Sequence, residues 1–175
     1  MKSLLIYSST DGQTKKICEV IKGSSISKES FELLSIDEAF KINLSDYDQI
    51  IIGASIRYGK HSSKIYKYIK THKKILELKK NAFFSVNVVA RKKEKSTPET
   101  NPYVKKFLIK SKWQPMKLGV FAGKVDYPNL NFFNRIIIKM IMFITNGPTN
   151  TKQSYEFTDW SSVKRFAQEF DELKV

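Results

Sequence analysis

The sequence predicts one domain built on an open, five-stranded parallel α/β sheet with helices on both faces. Apolar segments alternate with segments of helical periodicity five times along the chain. The apolar segments are apolar nearly throughout, as in strands that helices cover on both sides. A length of 175 residues, with a hydrophobic share of 41%, is sufficient for one domain with a full core.

The chain begins with a strand predicted at Ser3–Tyr7, and a helix predicted at Gln13–Lys22 follows it. The single cysteine, Cys18, lies on this helix, where we expect a buried thiol. One cysteine excludes a disulfide framework and a cysteine-based metal site. Because the first two residues lead straight into the strand, with no longer apolar region behind it, we expect no signal peptide and a reducing cytoplasm.

The remaining elements follow from apolar runs and helical spacing. In order, they are a strand at Phe31–Ser35, a weakly helical segment at Asp37–Leu44, a strand at Gln49–Ser55, a loop at Ile56–Gly59, a helix at His61–Leu76, a strand at Ala82–Val89, a helix at Tyr103–Lys110, a strand at Lys117–Ala122 and a helix at Asp159–Leu173 that Asp159 caps.

The turn between the first strand and the first helix has the composition of a phosphate site. Its hydroxyl side chains can donate hydrogen bonds, and Gly12 lets the backbone approach a bound group. The free N–H groups and the dipole at the start of the helix favour negative charge. The glycines and the lysine of the Walker loop and of the dinucleotide fingerprint are missing. The monophosphate of flavin mononucleotide (FMN) fits better, and an ordinary strand–helix connection is the alternative. The residues concerned are Ser9, Thr10, Asp11, Gly12, Gln13 and Thr14.

Three loops are predicted to meet at the carboxyl edge of the sheet: Ser8–Thr14, Ser55–Gly59 and Asn87–Pro102. In an open parallel sheet the ligand binds beyond this edge, where the strand order reverses. Small, polar and aromatic residues in these loops suit the phosphate and the ring of a flavin. The three loops together therefore indicate a flavin site more strongly than the first turn alone.

The net charge of +14 is concentrated in one third of the chain. Residues 60–117 carry 17 Lys and Arg against 3 Asp and Glu, whereas the charges elsewhere balance. Such a concentration predicts an anionic partner or surface, with a solvated lysine-rich face as the alternative. We expect no nucleic acid, because no recognised binding module accompanies the charge.

A long insertion, at about 124–152, precedes the last helix and exceeds the usual connection length. Within it, Asn131–Thr145 is predicted to form a helix with a narrow polar stripe and an otherwise apolar surface. The apolar run is too short and too interrupted for a bilayer span of about twenty residues. It could lie in a membrane interface with Arg135 and Lys139 toward the headgroups, or pack on its own domain or in a dimer contact.

Neither histidine is expected to act in catalysis or to bind a metal. His61 and His72 are both predicted on a lysine-rich helix, where an exposed position is expected. Their spacing does not suit one helical face, and no cysteine or acidic cluster joins them. No other histidine, cysteine or carboxylate stands out as an acid or base, so the catalytic residues remain unassigned.

Seven runs of residues suggest a family. They are Ser9–Thr14, Ile52–Gly59, Ser85–Lys92, Thr97–Asn101, Lys106–Leu108, Ile138–Met142 and Tyr155–Trp160. In this order they resemble the flavodoxin-like, menaquinone-dependent protoporphyrinogen oxidases of bacteria, and they cover nearly the whole chain. The first run alone would indicate only a flavodoxin-like protein, whereas the second, the third and the insertion are more specific.

The resemblance implies an enzyme of haem biosynthesis that oxidises protoporphyrinogen IX to protoporphyrin IX with FMN and passes electrons to menaquinone, ubiquinone or another quinone. It also implies a peripheral protein on the cytoplasmic face of the bacterial cell membrane. Segment 130–145 and the basic region 60–117 would contact an anionic membrane surface. A homo-oligomer remains an open alternative.

Residue by residue, the resemblance places the FMN phosphate in the turn Ser9–Thr14. It places the isoalloxazine ring beside Ile56, Arg57, Tyr58, Gly59, Val86, Asn87, Val88, Val89 and Ala90. Asp11 replaces the usual threonine, and we expect its carboxylate to turn toward backbone N–H groups. The third loop has no aromatic residue to stack on the ring, which leaves one ring face open. From their positions, we expect Arg57, Arg91 and Lys92 to neutralise substrate propionates or the charge that develops on the reduced flavin; binding of lipid phosphate or a solvated position is the alternative.

Three other functions remain as alternatives. A flavodoxin-type electron carrier would share the phosphate turn but leave the insertion unexplained. An FMN-dependent NAD(P)H:quinone reductase would share the flavin and the quinone. A non-enzymatic binder of membranes or nucleic acid would contain no flavin.

Overall fold

The computed structural model describes residues 1–25 and 31–174. From the amino end, its helices and strands are β1 (Ser3–Ser8), α1 (Gln13–Ser24), β2 (Phe31–Ser35), α2 (Ile36–Ala39), β3 (Gln49–Arg57), β4 (Lys60–His61), α3 (Ser63–Leu78), β5 (Lys80–Val86), α4 (Pro102–Ser111), β6 (Lys117–Phe121), β7 (Lys124–Asp126), α5 (Phe132–Ile144), β8 (Ser154–Glu156) and α6 (Trp160–Asp171). The predicted five-stranded parallel sheet is confirmed, in the order β2-β1-β3-β5-β6.

Alternate side chains of the sheet enter two separate cores, as the pleat of a strand requires. In β3, Ile50 and Ile52 pack with residues of α3 and α4, and Ile51 packs with residues of α1 and α6. Cys18 of α1 is fully buried in the second core, as predicted. Burial raises the pKa of its thiol above the usual range, so the thiol is not a reactive nucleophile.

The third strand is longer than predicted. Ile56 and Arg57 belong to β3 because they pair with His61 and Lys60 of the short antiparallel strand β4. The predicted loop Ile56–Gly59 was therefore wrong in its first half. The segment is a tight hairpin whose two-residue turn follows Arg57.

The helix predicted from His61 begins at Ser63 instead. Ser62 is its N-cap, and the Ser62 Oγ accepts a hydrogen bond from the backbone N–H of Lys64 at 3.3 Å. A serine cap satisfies one of the free donors of the first turn, which fixes the start of the helix. His61 is consequently a strand residue.

The strand predicted to reach Val89 ends at Val86. Asn87 stops it, because its Oδ1 accepts a hydrogen bond from the backbone N–H of Ala90 at 3.1 Å and so caps a 3₁₀ turn at Val88–Arg91. The segment expected to be weakly helical divides into α2 and a 3₁₀ turn at Leu44–Asp46.

The insertion after the fifth parallel strand folds into a two-stranded antiparallel ribbon, β7 and β8, together with α5. Val125, Tyr127 and Met142 form a small core of its own. The predicted helix is confirmed: α5 starts after its N-cap Asn131 and ends in a Schellman turn, where the N–H of Gly147 donates to the carbonyl of Met142 at 2.6 Å.

Candidate functional site

A cleft lies beyond the carboxyl ends of β1, β3 and β5, where the strand order of the sheet reverses. It has a volume of about 980 Å³, including the part that is open to solvent. The three loops that were predicted to meet form much of its wall, and α5 closes another side.

Of the residues that were predicted to contact the cofactor, all except Gly12 and Ala90 line this cleft. Those that line it are Ser9, Thr10, Asp11, Gln13, Thr14, Ile56, Arg57, Tyr58, Gly59, Val86, Asn87, Val88 and Val89. Ser55, from the second predicted loop, lines the cleft as well. The cleft is also lined by residues that were not predicted there, namely Tyr103, Gly123, Lys124, Val125, Asn134, Ile137, Ile138 and Ile141.

The first loop leaves hydrogen-bond donors free at the start of α1. Gly12 precedes the helix with φ 82° and ψ −17°, a left-handed conformation that favours glycine. No side chain of the described residues caps α1, so the N–H groups of its first turn are available to a ligand. The buried Thr14 hydroxyl has no hydrogen-bond partner in the described part of the chain. Such an orphaned donor is uncommon, and the loop therefore fits a phosphate group.

Two polar side chains of this loop have partners outside it. The Gln13 Nε2 donates to Glu156 Oε1 at 3.0 Å and to Thr158 Oγ1 at 2.8 Å, so the side chain of Gln13 is committed to the carboxyl-terminal segment. The Asp11 Oδ2 accepts from Arg57 Nη1 at 2.9 Å, and not from backbone N–H groups as expected. This ion pair joins the first and second loops and compensates the negative charge of Asp11.

The second loop is a type I′ turn, with φ 49° at Tyr58 and φ 73° at Gly59. A tyrosine with positive φ is uncommon and costs about 1 kcal/mol or more. The hydroxyl of Tyr58 donates to the Oδ1 of Asn134 at 2.5 Å, although the residue as a whole is 64% exposed. Tyr58 therefore connects the hairpin to α5 across the cleft wall.

A chain of buried polar side chains holds the third loop. The Asn87 Nδ2 donates to Ser85 Oγ at 3.1 Å, and Asn87 Oδ1 accepts from Asn101 Nδ2 at 3.2 Å as well as from the Ala90 N–H. The Ser85 Oγ lies 3.0 Å from His61 Nε2. The side chain of Asn87 is thus occupied in positioning the loop, while Val88 and Val89 line the cleft.

His61 contradicts the sequence prediction, because it is only 3% exposed. Its ring packs edge-to-face against Tyr66, Phe83 and Phe107 beneath the third loop. Burial in this aromatic surrounding lowers its pKa to about 4, so the imidazole is neutral near pH 7. The spacing of the lysines suggested an exposed helix, but His61 precedes that helix and pairs with Ile56 in the hairpin.

Arg91 and Lys92, which were expected to meet substrate propionates, do not line the cleft. The Arg91 Nη2 donates to the carbonyl oxygen of Thr145 at 2.8 Å and to its Oγ1 at 2.7 Å, and Nη1 donates to the carbonyl of Val88 at 3.1 Å. Arg91 therefore attaches the carboxyl end of α5 to the third loop. Lys92 is half-buried and precedes a 3₁₀ turn at Lys93–Lys95.

α5 presents two apolar faces, which we name by their surroundings. The inner face lines the cleft and consists of Asn134, Ile137, Ile138 and Ile141. The outer face is exposed and consists of Phe132, Phe133, Ile136, Met140, Phe143 and Ile144. The expected polar stripe is only partly free, because Arg135 donates to the carbonyls of Tyr127, Pro128 and Leu130, whereas Lys139 is exposed.

The inner face is the part of the site that the sequence did not reveal. The isoleucines of α5 were recognised as apolar, but a helix that is apolar on most sides gives no periodic signal for the direction of the cleft. Only the placement of the helix against Tyr58 and Arg91 determines which side faces inward.

Residues 1–25 and 31–174 have neither a metal-binding cluster nor a membrane-spanning helix. These residues contain no cluster of three or more histidine, cysteine, aspartate or glutamate side chains that could hold a metal ion. Within the same ranges, no helix has the length and apolarity required to cross a membrane.

The sheet order is that of the flavodoxin class, and residues 4–152 match the Flavodoxin domain family. The chain is 42% identical over 176 residues to a protein named protoporphyrinogen IX dehydrogenase [quinone] from Leishmania major, covering 99% of this chain and 76% of that protein. It is 40% identical over 177 residues to the protein of the same name from Escherichia coli strain K12, covering 99% of this chain and 96% of that protein. The chain therefore belongs to the protoporphyrinogen IX dehydrogenase [quinone] family of flavodoxin-domain proteins.

Two solved structures share the fold. Oxidised flavodoxin 1 from Bacillus cereus has a TM-score of 0.58 and 18% identity, with 99% of this chain and all of that chain covered. A flavodoxin from an archaeon has a TM-score of 0.52 and 16% identity, with 98% of this chain and 97% of that chain covered. Both extend over the whole described sheet and support the flavodoxin-like architecture.

Proposed function

We propose that this protein oxidises protoporphyrinogen IX to protoporphyrin IX with FMN and transfers the electrons to a quinone. The strongest support is the identity of 40–42% to proteins named for this activity over 99% of the chain. The cleft supports the same proposal, because it joins a phosphate turn to an apolar compartment under α5.

The FMN phosphate would be held by the hydroxyl of Thr14 and by the backbone N–H groups at the start of α1. The free donor of Thr14 and the uncapped helix start support this placement. The isoalloxazine ring would lie between the hairpin turn Tyr58–Gly59 and the third-loop residues Val88 and Val89. When bound, FMN supplies the two-electron chemistry that connects the porphyrinogen to the quinone.

The protein's own residues would bind and orient the two substrates. Val88 and Val89 are small, so they leave space at the ring where an aromatic residue would fill it. Among the three cations predicted for the propionates, Arg57 alone lines the cleft, and it can exchange its partner Asp11 for a substrate carboxylate. Conversion of one porphyrinogen removes six electrons and six protons, so three quinones are reduced to quinols in three cycles.

A direct assay tests the proposal. The FMN-loaded protein is mixed anaerobically with protoporphyrinogen IX and a menaquinone analogue, and porphyrin fluorescence is followed. We expect fluorescence to rise only when both the protein and the quinone are present. If FMN binds and no porphyrin forms, the proposed substrate is wrong; rapid bleaching of the flavin by NADPH would then indicate an NAD(P)H:quinone reductase.

We also propose that the outer face of α5 binds the anionic surface of a membrane from its cytoplasmic side. Phe133 and Phe143 are each 76% exposed on this face, and Lys139 lies beside it. The lysine-rich region 60–117 adds attraction of about 1 kcal/mol for each cation near the surface.

Co-sedimentation with vesicles tests this membrane proposal. We expect binding to phosphatidylglycerol vesicles to exceed binding to phosphatidylcholine vesicles. The double substitution Phe133→Ser, Phe143→Ser should weaken binding by about 100-fold or more, because each exposed phenylalanine contributes about 1.5–3 kcal/mol when buried. Unchanged binding of this variant would contradict the proposal, and loss of a dimer in its size-exclusion profile would instead make the face a dimer contact.

A further inference from the structure

α5 separates the cleft from the outside with apolar side chains on both of its faces. The inner face contributes Ile137, Ile138 and Ile141 to the cleft wall. Ile141 is also 37% exposed, so it lies at the rim where the cleft wall meets the outer face. The apolar surface is therefore continuous from the outside of the helix into the cleft.

The wall that α5 provides carries no charge. Its polar member, Asn134, accepts the hydrogen bond from Tyr58, and the other members are isoleucines. The two cations that line the cleft have acidic partners away from this wall: Arg57 binds Asp11, and the Lys124 Nζ lies 3.0 Å from the Asp126 Oδ2. Burying a carboxylate against such a wall would cost several kcal/mol, because the wall has no cation to compensate its charge.

We propose that the inner face of α5 is the binding site for the ring of the quinone, which enters from the lipid side past Ile141. This inference rests on the proposed function and assigns one of its two substrates to a place in the cleft. A quinone ring with an isoprenoid tail is uncharged and dissolves in lipid, so it suits an apolar wall that continues into an exposed apolar face. Each quinone takes up two electrons and two protons from the reduced cofactor and leaves as the quinol.

The tetrapyrrole would approach from a different side. Its carboxylates require cations, and the hairpin offers Arg57, which lines the cleft, and the exposed Lys60, which pairs with Arg57 in the strand ladder. Two entrances would allow the charged substrate to arrive from water and the uncharged one from the membrane. α5 is held at both ends of the quinone site, by Tyr58 at Asn134 and by Arg91 at Thr145.

The test separates the quinone step from porphyrinogen oxidation. The FMN-loaded protein is photoreduced without oxygen and mixed with a short-tailed, water-soluble menaquinone analogue, without vesicles, and reoxidation is followed by stopped-flow absorbance. Ile141→Gln and Ile137→Gln should each lower the second-order rate constant by about tenfold, as expected when an apolar contact with a substrate is lost. The dissociation constant of FMN should not change.

Ile109→Gln provides a matched control, because Ile109 is 78% exposed on α4 and does not line the cleft. This variant should reoxidise at the wild-type rate. A second measurement does not depend on turnover: an azido-quinone is photolysed with the oxidised FMN-loaded protein. We expect the label on the tryptic peptides 136–139 and 140–152, and excess menaquinone analogue should prevent it.

Three results would overturn the inference. Wild-type reoxidation rates in both inner-face variants, or labelling confined to peptides outside α5, would overturn the quinone site and leave the proposed function intact. If no quinone reoxidises the photoreduced wild-type protein, the proposed electron acceptor and the site are both wrong.

Discussion

The hydroxyl of Thr14 gives the sharpest test of the phosphate turn, because its removal should change stability and FMN affinity in opposite directions. Thr14→Val keeps the shape of the side chain and deletes one buried donor that has no partner in the described structure. An unsatisfied buried hydroxyl costs about 1–3 kcal/mol. We therefore expect the apoprotein of the variant to be more stable than the wild type by about 1 kcal/mol or more.

The same substitution should weaken FMN binding. A hydrogen bond from a hydroxyl to a charged acceptor contributes about 1.5–3 kcal/mol, and each 1.4 kcal/mol corresponds to about a tenfold change in the dissociation constant. We therefore expect the dissociation constant of FMN to rise by about 10- to 100-fold. Urea unfolding of the apoprotein and titration by quenching of FMN fluorescence provide the two measurements.

Thr71→Val is the matched control for this experiment. Thr71 is exposed on α3, where its Oγ1 donates to the backbone carbonyl of Lys67 at 3.0 Å. The control should bind FMN like the wild type and should not gain stability. If Thr14→Val binds FMN as tightly as the wild type, or if its apoprotein loses stability, the assignment of the free hydroxyl to the phosphate is refuted.

Three further predictions concern contacts around the cleft. Burial lowers the pKa of His61 from 6.5 to about 4. Between pH 6.5 and pH 4, the unfolded chain therefore binds a proton at His61 that the folded protein does not bind. The free energy of unfolding should fall by up to about 3 kcal/mol as the pH falls from 6.5 to 4, and His61→Gln should lack this component in urea titrations. Asp11→Asn removes a carboxylate near the phosphate turn and frees Arg57, so FMN should bind about threefold more tightly at low salt, with a smaller gain at high salt. Arg91→Ala removes the attachment to Thr145, so unfolding should require about 1–3 kcal/mol less, and limited proteolysis should cut residues 132–147 faster.

Different outcomes would contradict these three predictions. If the free energy of unfolding depends on pH identically in the wild type and in His61→Gln, then His61 does not cause the loss of stability at low pH. FMN affinity that falls in Asp11→Asn would mean that the carboxylate assists binding. Lys93→Ala is the control for Arg91→Ala, because Lys93 is exposed in the same loop. Equal rates of proteolysis in the two variants would show that Arg91 does not hold α5 against the third loop.

The fold was predictable from the sequence because local patterns determine it. The apolar strands and the helical spacing gave the five parallel strands, and Asp159 and Asn131 marked the starts of two helices. The boundary errors lie where a polar side chain makes a contact that composition does not encode. Asn87 ends β5 early, and Ser62 delays α3.

The sequence by itself determined the chain of strands and helices, the composition of the phosphate turn and the presence of an apolar helix in the insertion. These properties depend on the identity and spacing of neighbouring residues. Only the tertiary structure decided the burial of His61, the pairing of Asp11 with Arg57 and the direction of the inner face of α5. Each of these depends on which distant groups lie opposite a side chain, and a helix that is apolar on most sides has no sequence pattern that shows which side faces the cleft.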